Sequence, residues 1–413
     1  MRSLLLAACV LIVSSARADD PPKVFEFHDG DRVVYLGNAF VENDQKYGYL
    51  ETLITAANPD KTITFRNLGW SGDTVWGDAR AGFGTRADGF KHLKEHVFAL
   101  KPTVIFVAYG MNESFAGEAG LPEFEKGLNT LLDTLAETKA RMVLISPIQH
   151  ENLGPPLPDP TKHNGDLRLY RDVMARVASS RSLRFVDLLG KADGRPLSVW
   201  AMTGDGLHPT SRGYAYLGSR MFEAIQGHPS LPRRELDLRG ATPVAKEWVV
   251  SDVERLAGRV KFRGTAHRLP EYLWPNSKYW KGEEEWSGGG GFQLCIRGVP
   301  HAKYELLTDN KASFFFPVVL DDDVSVETVK FGPEIHQVEK LRAAINKKNE
   351  LYFHRWRPAN ETYIFGFRKH EQGNNSVEIP QFDPLIERLE AEIAVLKKPV
   401  PHTYELIREE AGK

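Results

Sequence analysis

The chain has 413 residues, of which 42% are hydrophobic and 26% charged, and its formal net charge is -2. This composition supplies enough apolar side chains for a large core and argues against intrinsic disorder. The near-neutral charge gives no reason to expect a nucleic acid or an anionic membrane surface as a partner. The length predicts about two to three domains.

The first residues have the pattern of a secretory signal peptide. Arg2 precedes the apolar run 4–13, which is too short to span a bilayer and is followed by small residues. We therefore predict that residues 1–18 are cleaved and that the protein is exported, to a periplasm or outside the cell. No later run is long and apolar enough for a membrane helix. Cys9 would leave with the signal, so Cys295 would have no partner and we expect no internal disulfide.

Short apolar runs alternate with amphipathic helical patterns along the first half of the chain. The runs that predict strands are 32–36, 62–66, 103–108, 142–146 and 184–188. The patterns that predict helices are 41–58, 89–100, 122–138, 166–179 and a helix that follows His208. This alternation predicts right-handed crossovers and a parallel sheet with helices on both faces. In such sheets, ligands bind beyond the carboxyl ends of the strands.

Polar segments follow the predicted strands, where a parallel sheet would form its site. These segments are 37–40, 69–74, 110–113 and 205–208. The last one contains Asp205 and His208, and Gly206 supplies a turn between them. A carboxylate that accepts the Nδ1–H of a histidine fixes the tautomer and leaves Nε2 free to take a proton. The segment therefore predicts an acid–base pair.

The order of these segments resembles that of the SGNH, or GDSL-type, hydrolases, which are esterases and lipases with a flavodoxin-like fold. Segment 67–74 resembles the second sequence block of the family, 110–113 the third and 205–209 the fifth. The resemblance covers about residues 30–228. It implies a three-layer α/β domain over 24–230, built on a five-stranded parallel sheet.

The same resemblance implies catalytic roles for four residues. Gly72 would supply an N–H group to an oxyanion hole, and the side chain of Asn112 would donate to the same oxyanion. Asp205 and His208 would be the acid and the base of a catalytic triad.

This chain departs from the family's pattern in the first sequence block. Gly37-Asn38-Ala39 stands where the family has Gly-Asp-Ser, so Ala39 occupies the position of the nucleophile. A methyl group cannot attack a carbonyl carbon. Loss of a triad nucleophile leaves only what binding and the oxyanion donors contribute.

Three hypotheses remain open for this position. The first is a pocket that only binds its ligand. The second uses another nucleophile, Ser71 or Ser114, and Thr74 is also close, although such hydroxyls more often bond the local backbone of a turn. In the third, Asp205 and His208 activate a water molecule directly.

We therefore expect an ester hydrolase that removes acyl or acetyl groups from a carbohydrate or another small molecule. The alternative is a catalytically inactive pocket that binds a carbohydrate or an ester. Asn38, Trp70 and Glu113 border the predicted catalytic residues and are expected to contact the substrate. No cofactor is expected, and His150 and His163 lack the clustered carboxylate that would indicate a metal site. The sequence does not indicate an oligomeric state.

The pattern changes in the second half of the chain. Strand-like runs separated by turn signals predict a β-rich module over 235–335. Residues 336–413 are predicted to form an extension that is rich in Arg, His and aromatic residues, with helices over 338–348 and 384–397. 

Two segments of the second half concentrate unusual side chains. Segment 352–375 mixes Arg, His, Asn and aromatic residues, and it would either fold over the hydrolase pocket or form a polar network between domains. The aromatic residues of 272–286 suit either the binding of sugar rings or packing beneath a loop.

Overall fold

A computed structural model gives the architecture of most of the chain. It describes residues 24–189, 202–227, 233–270, 292–300, 302–312, 315–320, 323–329, 332–359, 361–364, 366–371 and 375–408. The predicted signal peptide and the aromatic segment 272–286 lie outside these residues. Among the residues that are described, no helix combines the length and the apolar character needed to cross a membrane.

The first half of the chain forms a parallel sheet of five strands. The strands are β1 (Arg32–Gly37), β2 (Thr64–Asn67), β3 (Val104–Ala108), β4 (Arg141–Ile145) and β5 (Arg184–Val186). Their order across the sheet is β2-β1-β3-β4-β5, which is the order of flavodoxin-like folds. Strand β3 is buried along its whole length, as expected when helices cover both faces of a parallel sheet. The predicted fold class is confirmed.

Helices pack on both faces of this sheet. They are α1 (Ala39–Asp44), α2 (Tyr49–Ala57), α3 (Arg86–Ala99), α4 (Leu121–Ala136), α5 (Thr161–Ser180) and α6 (Ser211–Gln226). Helices α1, α2 and α6 share a core with Val33 of β1, whereas α3, α4 and α5 share a core with Val34. The apolar face that the sequence predicts for α4 is fully buried, including Leu128, Leu131 and Leu135. The domain therefore has three layers.

The prediction of a single helix over 41–58 is wrong, because the structure breaks it into α1 and α2. Gly48 lies in the break with a φ of +59°, in the left-handed region that favours glycine. Its N–H group donates to the carbonyl oxygen of Asp44 at 2.9 Å and closes the turn. Both helices contribute to the same core, so the apolar pattern alone does not reveal the break.

The second half of the described chain contains two further sheets, each of five strands. The strands are β6 (Arg233–Asp237), β7 (Val244–Lys246), β8 (Trp248–Leu256), β9 (Arg259–Ala266), β10 (Phe292–Arg297), β11 (Tyr304–Thr308), β12 (Lys311–Ala312), β13 (Phe315–Leu320), β14 (Asp323–Val329) and β15 (His402–Arg408). One sheet has the order β13-β14-β10-β6-β7 and the other β12-β11-β15-β9-β8. Buried side chains from both sheets form one core, including Leu294, Phe262 and Tyr404. The two sheets therefore form a sandwich.

Strand β15 completes the second of these sheets from a distant part of the sequence. Its residue Leu406 lies opposite Val260 of β9 on one side and Leu306 of β11 on the other. The strand lies beyond residue 335, where the sequence pattern ends the β-rich module. Pairing between strands that are far apart in the chain leaves no local pattern from which the partner could be predicted.

Helices α7 (Pro333–Trp356), α8 (Glu361–Ile364) and α9 (Phe382–Leu396) lie between β14 and β15 in the sequence. Helix α7 extends beyond both ends of the predicted 338–348. Its buried Lys348 forms an ion pair with Glu51 of α2, and Asn349 donates to the same carboxylate at 3.0 Å. These buried polar residues interrupt the apolar periodicity, which is why the sequence predicts a shorter helix. Helices α7 and α9 share an apolar cluster with α2 and so pack against the first domain.

Candidate active site

The loop that precedes α6 holds the predicted acid–base pair in hydrogen-bonding contact. Asp205 Oδ2 lies 2.7 Å from His208 Nδ1, and Oδ1 accepts the backbone N–H groups of Leu207 and His208 at 3.0 and 2.8 Å. Burial opposes ionisation of Asp205, but these hydrogen bonds outweigh it and lower the pKa to about 2. An ionised carboxylate only accepts, so the hydrogen of the imidazole is on Nδ1 and the lone pair is on Nε2. Both side chains are about half exposed, at 47% and 49%.

Glu151 anchors this loop, and the sequence did not single it out. Its carboxylate accepts the backbone N–H groups of Met202 and Thr203 at 2.9 and 2.7 Å and also the hydroxyl of Thr203. Its own N–H donates to the carbonyl oxygen of Gly206 at 2.9 Å. Glu151 follows β4, and its partners Met202 and Thr203 lie 51 and 52 positions further along the chain. A contact over that separation has no sequence pattern, so no local signal identified Glu151.

The two predicted oxyanion donors lie on loops at the same edge of the sheet. Gly72 follows β2 and Asn112 follows β3, and these strands lie on either side of β1. Gly72 has a φ of +80°, and its N–H group has no acceptor among the described residues. Asn112 uses one N–H of its amide to donate to the carbonyl oxygen of Asp73 at 2.7 Å. Its second N–H remains for a ligand.

Glu113 ties these two loops together. Its Oε1 accepts the N–H of Val75 and its Oε2 the N–H of Gly110, both at 2.9 Å. Burial raises the pKa of Glu113 to about 7 against the opposing effect of these hydrogen bonds. The carboxylate is therefore engaged in holding the scaffold of the site, and a contact between Glu113 and a substrate stays a prediction.

A buried ion pair supports the loop that carries Gly72. The side chains of Asp73 and Arg80 are 0% exposed and lie 2.7 Å apart. Tyr109 donates its hydroxyl to the same carboxylate at 2.9 Å, and Arg80 donates to the carbonyl oxygen of Leu68 at 2.8 Å. The pair links the two ends of the loop and so holds the residues around Gly72.

The nucleophile position is the first residue of α1. Ala39 is 6% exposed. Asn38 precedes it and caps the helix, since its Oδ1 accepts the N–H of Phe40 at 3.1 Å. The cap fixes the direction in which Ala39 leaves the sheet. A role of Asn38 in substrate binding stays a prediction.

Of the alternative nucleophiles, Ser114 and Thr74 donate their hydroxyl groups to other partners, whereas Ser71 is held through its backbone N–H. Ser71 is exposed, and its backbone N–H donates to the carboxylate of Glu42. Ser114 is fully buried; its Oγ donates to the carbonyl oxygen of Met111 at 2.6 Å and lies 3.1 Å from His163 Nε2. Ser114 donates its hydroxyl hydrogen to Met111, so Nε2 of His163 donates to the Ser114 oxygen. A base that activates a serine would instead accept the hydroxyl hydrogen. 

Thr74 is no better placed for attack. Its hydroxyl donates to Asp78 Oδ2. Within the described residues, no three His, Cys, Asp or Glu side chains are grouped as a metal ion would require.

A comparison with known families finds a similarity for the first domain. Residues 30–216 match the model of the GDSL-like Lipase/Acylhydrolase family. This segment is therefore similar to that family, and we refer to residues 30–216 as the GDSL-like domain because of the similarity. The match spans Gly72, Asn112, Asp205 and His208, and it agrees with the resemblance that the sequence blocks indicate. That Ala39 replaces the nucleophilic serine of this family stays an inference from the first sequence block.

Solved structures extend the similarity beyond the GDSL-like domain. A gut microbial diltiazem-metabolizing enzyme has a TM-score of 0.68 and 16% identity, and the alignment covers 94% of this chain and 99% of that one. A catalytic mutant of an acetylxylan esterase from Geobacillus stearothermophilus has a TM-score of 0.40, 20% identity and coverage of 49% and 97%. A lipase/acylhydrolase from Enterococcus faecalis has a TM-score of 0.36 and 20% identity, and the alignment covers 48% of this chain and 96% of that one. No curated protein matches the chain. The first similarity indicates a shared fold over both halves.

The C-terminal extension contacts the GDSL-like domain beside its candidate site. The guanidinium of Arg357 lies 3.9 Å from the ring centre of Trp70, and its Nη1 is 2.8 Å from the Glu42 carboxylate that accepts the N–H of Ser71. Trp356 also packs against Trp70, with ring centres 5.8 Å apart. Trp70 is therefore held by the extension, and its predicted contact with a substrate is untested.

Proposed function

We propose that this protein hydrolyses small esters, with a water molecule as the attacking group in place of the missing serine. The observation that carries the proposal is the 2.7 Å hydrogen bond between Asp205 and His208, which directs the lone pair of Nε2 away from the carboxylate. The N–H of Gly72 and the free amide N–H of Asn112 support it, because both remain available to an oxyanion.

The reaction follows from these groups. A water molecule gives a proton to His208 Nε2 while its oxygen attacks the ester carbonyl carbon. The carbonyl oxygen becomes an oxyanion that Gly72 and Asn112 stabilise. The tetrahedral intermediate then breaks its bond to the alkoxide, which takes the proton back from the imidazolium. Asp205 stabilises the imidazolium throughout and stays ionised. The products are a carboxylic acid and an alcohol, and no acyl-enzyme forms.

We extend the proposal to acyl and acetyl groups on carbohydrates, and to action outside the cytoplasm. The support is the signal-like pattern of residues 1–18 and the aromatic content of 272–286 in the sequence. Both supporting observations come from the amino-acid sequence.

The first experiment measures the hydrolysis of p-nitrophenyl acetate and of an acetylated methyl xyloside by the purified mature protein. We expect His208→Ala to lower kcat by about 10²-fold or more, the usual contribution of general acid–base catalysis. The matched control is His336→Ala, because His336 also pairs with a carboxylate three residues away, at 3.0 Å from Glu339, and is exposed. Equal activity of the two variants would end the assignment of His208.

A second experiment distinguishes the water mechanism from an alternative serine. An activated Ser71 or Ser114 should form a stable covalent adduct with a fluorophosphonate, whereas a water mechanism leaves none. Hydrolysis without labelling supports the proposal. Labelling of either serine, found by mass spectrometry, would replace water with that side chain.

The alternative function is binding without catalysis, and the observation that favours it is Ala39 itself. A pocket with both oxyanion donors and an acid–base pair, but without an attacking atom, retains an ester or a carbohydrate without cleaving it. Binding of the acetylated xyloside by a protein that leaves it intact would favour this alternative.

A further inference from the structure

Phe115 is a large aromatic residue that is exposed beside the oxyanion loop. It lies on the single helical turn Glu113–Ala116, three positions after Asn112, and 66% of it is exposed to solvent. The residue before it, Ser114, is fully buried and hydrogen-bonded to Met111. A turn fixed in this way holds the ring in a defined position, although the ring itself is open to water.

The ring of Phe115 is also supported on one face. It stacks on His163 with ring centres 4.2 Å apart and an angle of 25° between the planes. His163 is fixed in turn by Ser114, whose Oγ is 3.1 Å from its Nε2, and by stacking on His150 at 4.8 Å. Since one face is covered and the residue is two-thirds exposed, the opposite face of Phe115 is available to a ligand.

The stack of Phe115, His163 and His150 runs from the oxyanion loop to the acid–base loop. His150 is 4% exposed, and burial, followed by the charges of His163 and His208, lowers its pKa to about 4. His150 is therefore neutral at physiological pH. The next residue along the chain, Glu151, holds the loop of Asp205 and His208.

We propose that Phe115 is a stacking subsite for a ring in the substrate, either an aromatic ring or the apolar face of a pyranose. The inference rests on the proposed function, since the ring would be that of the alcohol or acyl part of the ester held at Gly72 and Asn112. Stacking on a rigid aromatic face brings a favourable contact beyond the area that is buried. Phe115 would thus determine which esters bind well, without a part in the chemical step.

The kinetic test compares phenyl acetate with ethyl acetate, which has the same acyl group and no ring. We expect Phe115→Ala and Phe115→Leu to raise KM for phenyl acetate about tenfold with little change in kcat, and to leave KM for ethyl acetate unchanged. Phe115→Trp should restore the wild-type KM. The control is Phe83→Ala, which removes another exposed phenyl ring, 87% exposed, that packs on Phe367 instead of a histidine. An equal rise for both esters would mean a structural role and would overturn the proposal.

A binding test separates this inference from the proposed function. Saturation-transfer NMR with acetanilide and with methyl β-xylopyranoside reports ring contacts without any hydrolysis. Loss of signal in Phe115→Ala but not in Phe83→Ala supports the subsite even if no ester is cleaved, in which case only the proposed function fails. The probe whose signal is lost identifies the ring as aromatic or pyranose. Unchanged signals, or no binding of either probe to the wild type, would overturn the subsite.

Discussion

At the residue scale, the methyl group of Ala39 separates two chemistries that the same loops could support. A serine at the first position of α1 would lie between the strands that lead to Gly72 and Asn112. Its hydroxyl would use His208 as a base and form an acyl-enzyme. With alanine there, the same base has only water to activate.

We predict that Ala39→Ser increases the hydrolysis of short-chain aryl esters and makes the protein sensitive to fluorophosphonates. The physical reason is that most of the rate enhancement in acyl transfer comes from preorganised donors and the base, and the proposed site contains both. The change adds one oxygen atom, so we expect it to lower the free energy of unfolding by less than about 1 kcal/mol. Initial rates, inhibitor labelling and urea unfolding measure the three effects.

The control for this prediction is Ala39→Ser combined with His208→Ala, which should be neither active nor labelled. Asn38→Asp is a useful addition, because the family has aspartate there and an Asp oxygen can still cap α1. A folded Asn38→Asp, Ala39→Ser protein without activity or labelling would favour the binding function.

A second residue-scale prediction concerns Asp44, a buried carboxyl group. Burial, and then the charge of Glu51, raises its pKa to about 7, and its Oδ1 has no hydrogen-bond partner among the described residues. The ordinary pKa of an aspartate is 3.8, so between pH 3.8 and about 7 the folded state binds more protons than the unfolded state. The contribution of Asp44 to stability is therefore full below pH 3.8 and is lost as pH rises through about 7. We expect Asp44→Asn to lose less stability than the wild type between pH 5 and pH 8.

Urea unfolding at the two pH values measures this difference. Asp60→Asn is the matched control, because Asp60 is exposed on the same domain. If the wild type and Asp44→Asn have the same dependence on pH, Asp44 is not the group that titrates.

The candidate site could be predicted from sequence where its residues are close in the chain. Asp205 and His208 are three residues apart, and the turn between them has a recognisable composition. Glu151 could not be predicted, because its role is to bind backbone groups of a loop some fifty residues away. The contact of Glu113 with the N–H of Val75, 38 positions away, could not be predicted for the same reason.

At the element scale, the loop between β2 and α3 depends on one buried ion pair. Asp73 and Arg80 are fully buried and hydrogen-bonded to the backbone or to Tyr109. We predict that Arg80→Met lowers the free energy of unfolding by about 3–5 kcal/mol, because it leaves the Asp73 carboxylate buried without a counter-ion. The measurement is denaturant unfolding of the wild type and of Arg80→Met at neutral pH.

The matched control is Arg86→Met, at the first residue of α3, where the same loop ends. Arg86 pairs with Asp78 at 2.8 Å, but its side chain is 54% exposed. An exposed pair of this kind contributes about 0–1 kcal/mol. A cost for Arg80→Met as small as that for Arg86→Met would mean that the buried pair does not hold the loop.

At the scale of the whole molecule, the C-terminal extension and the GDSL-like domain share the contacts around Trp70. Arg357 lies over the indole and pairs with Glu42, which also accepts the N–H of Ser71. Ser71 directly precedes Gly72, so the extension supports the backbone of one proposed oxyanion donor. The two halves of the chain are therefore coupled at the candidate site.

We predict that Arg357→Gln lowers kcat by about tenfold. A small displacement of an oxyanion donor reduces its stabilisation of the transition state more than its interaction with the bound substrate. KM and the unfolding midpoint should change little. Arg357→Lys should be intermediate, since it keeps the charge but loses the planar stack. The control is Arg368→Gln, which breaks an exposed pair with Glu371 inside the extension. Equal kcat values for the two glutamine variants would contradict the coupling.

The sequence predicted the parallel sheet of the first half, and in the second half it predicted a β-rich region and a terminal helix, α9, but not how the strands pair. In the first half, apolar runs mark the strands, and their alternation with helices indicates parallel pairing. In the second half, β15 pairs with β9 and β11, and α7 contains buried Lys348 and Asn349, whose polarity masks the helical pattern. Long-range pairing and buried ion pairs have no signature in a single sequence.

The position of β15 has a consequence for the order in which the protein folds. Val260 of β9 meets Leu406 of β15 only after the chain between them has been closed into a loop, and closing a long loop delays contacts of this kind. The parallel sheet of the first domain requires no comparable closure, so it should form earlier. Until β15 arrives, β9 and β11 expose unpaired edges that invite pairing with other molecules. Refolding yield should therefore fall as protein concentration rises, and the losses should come from the sandwich.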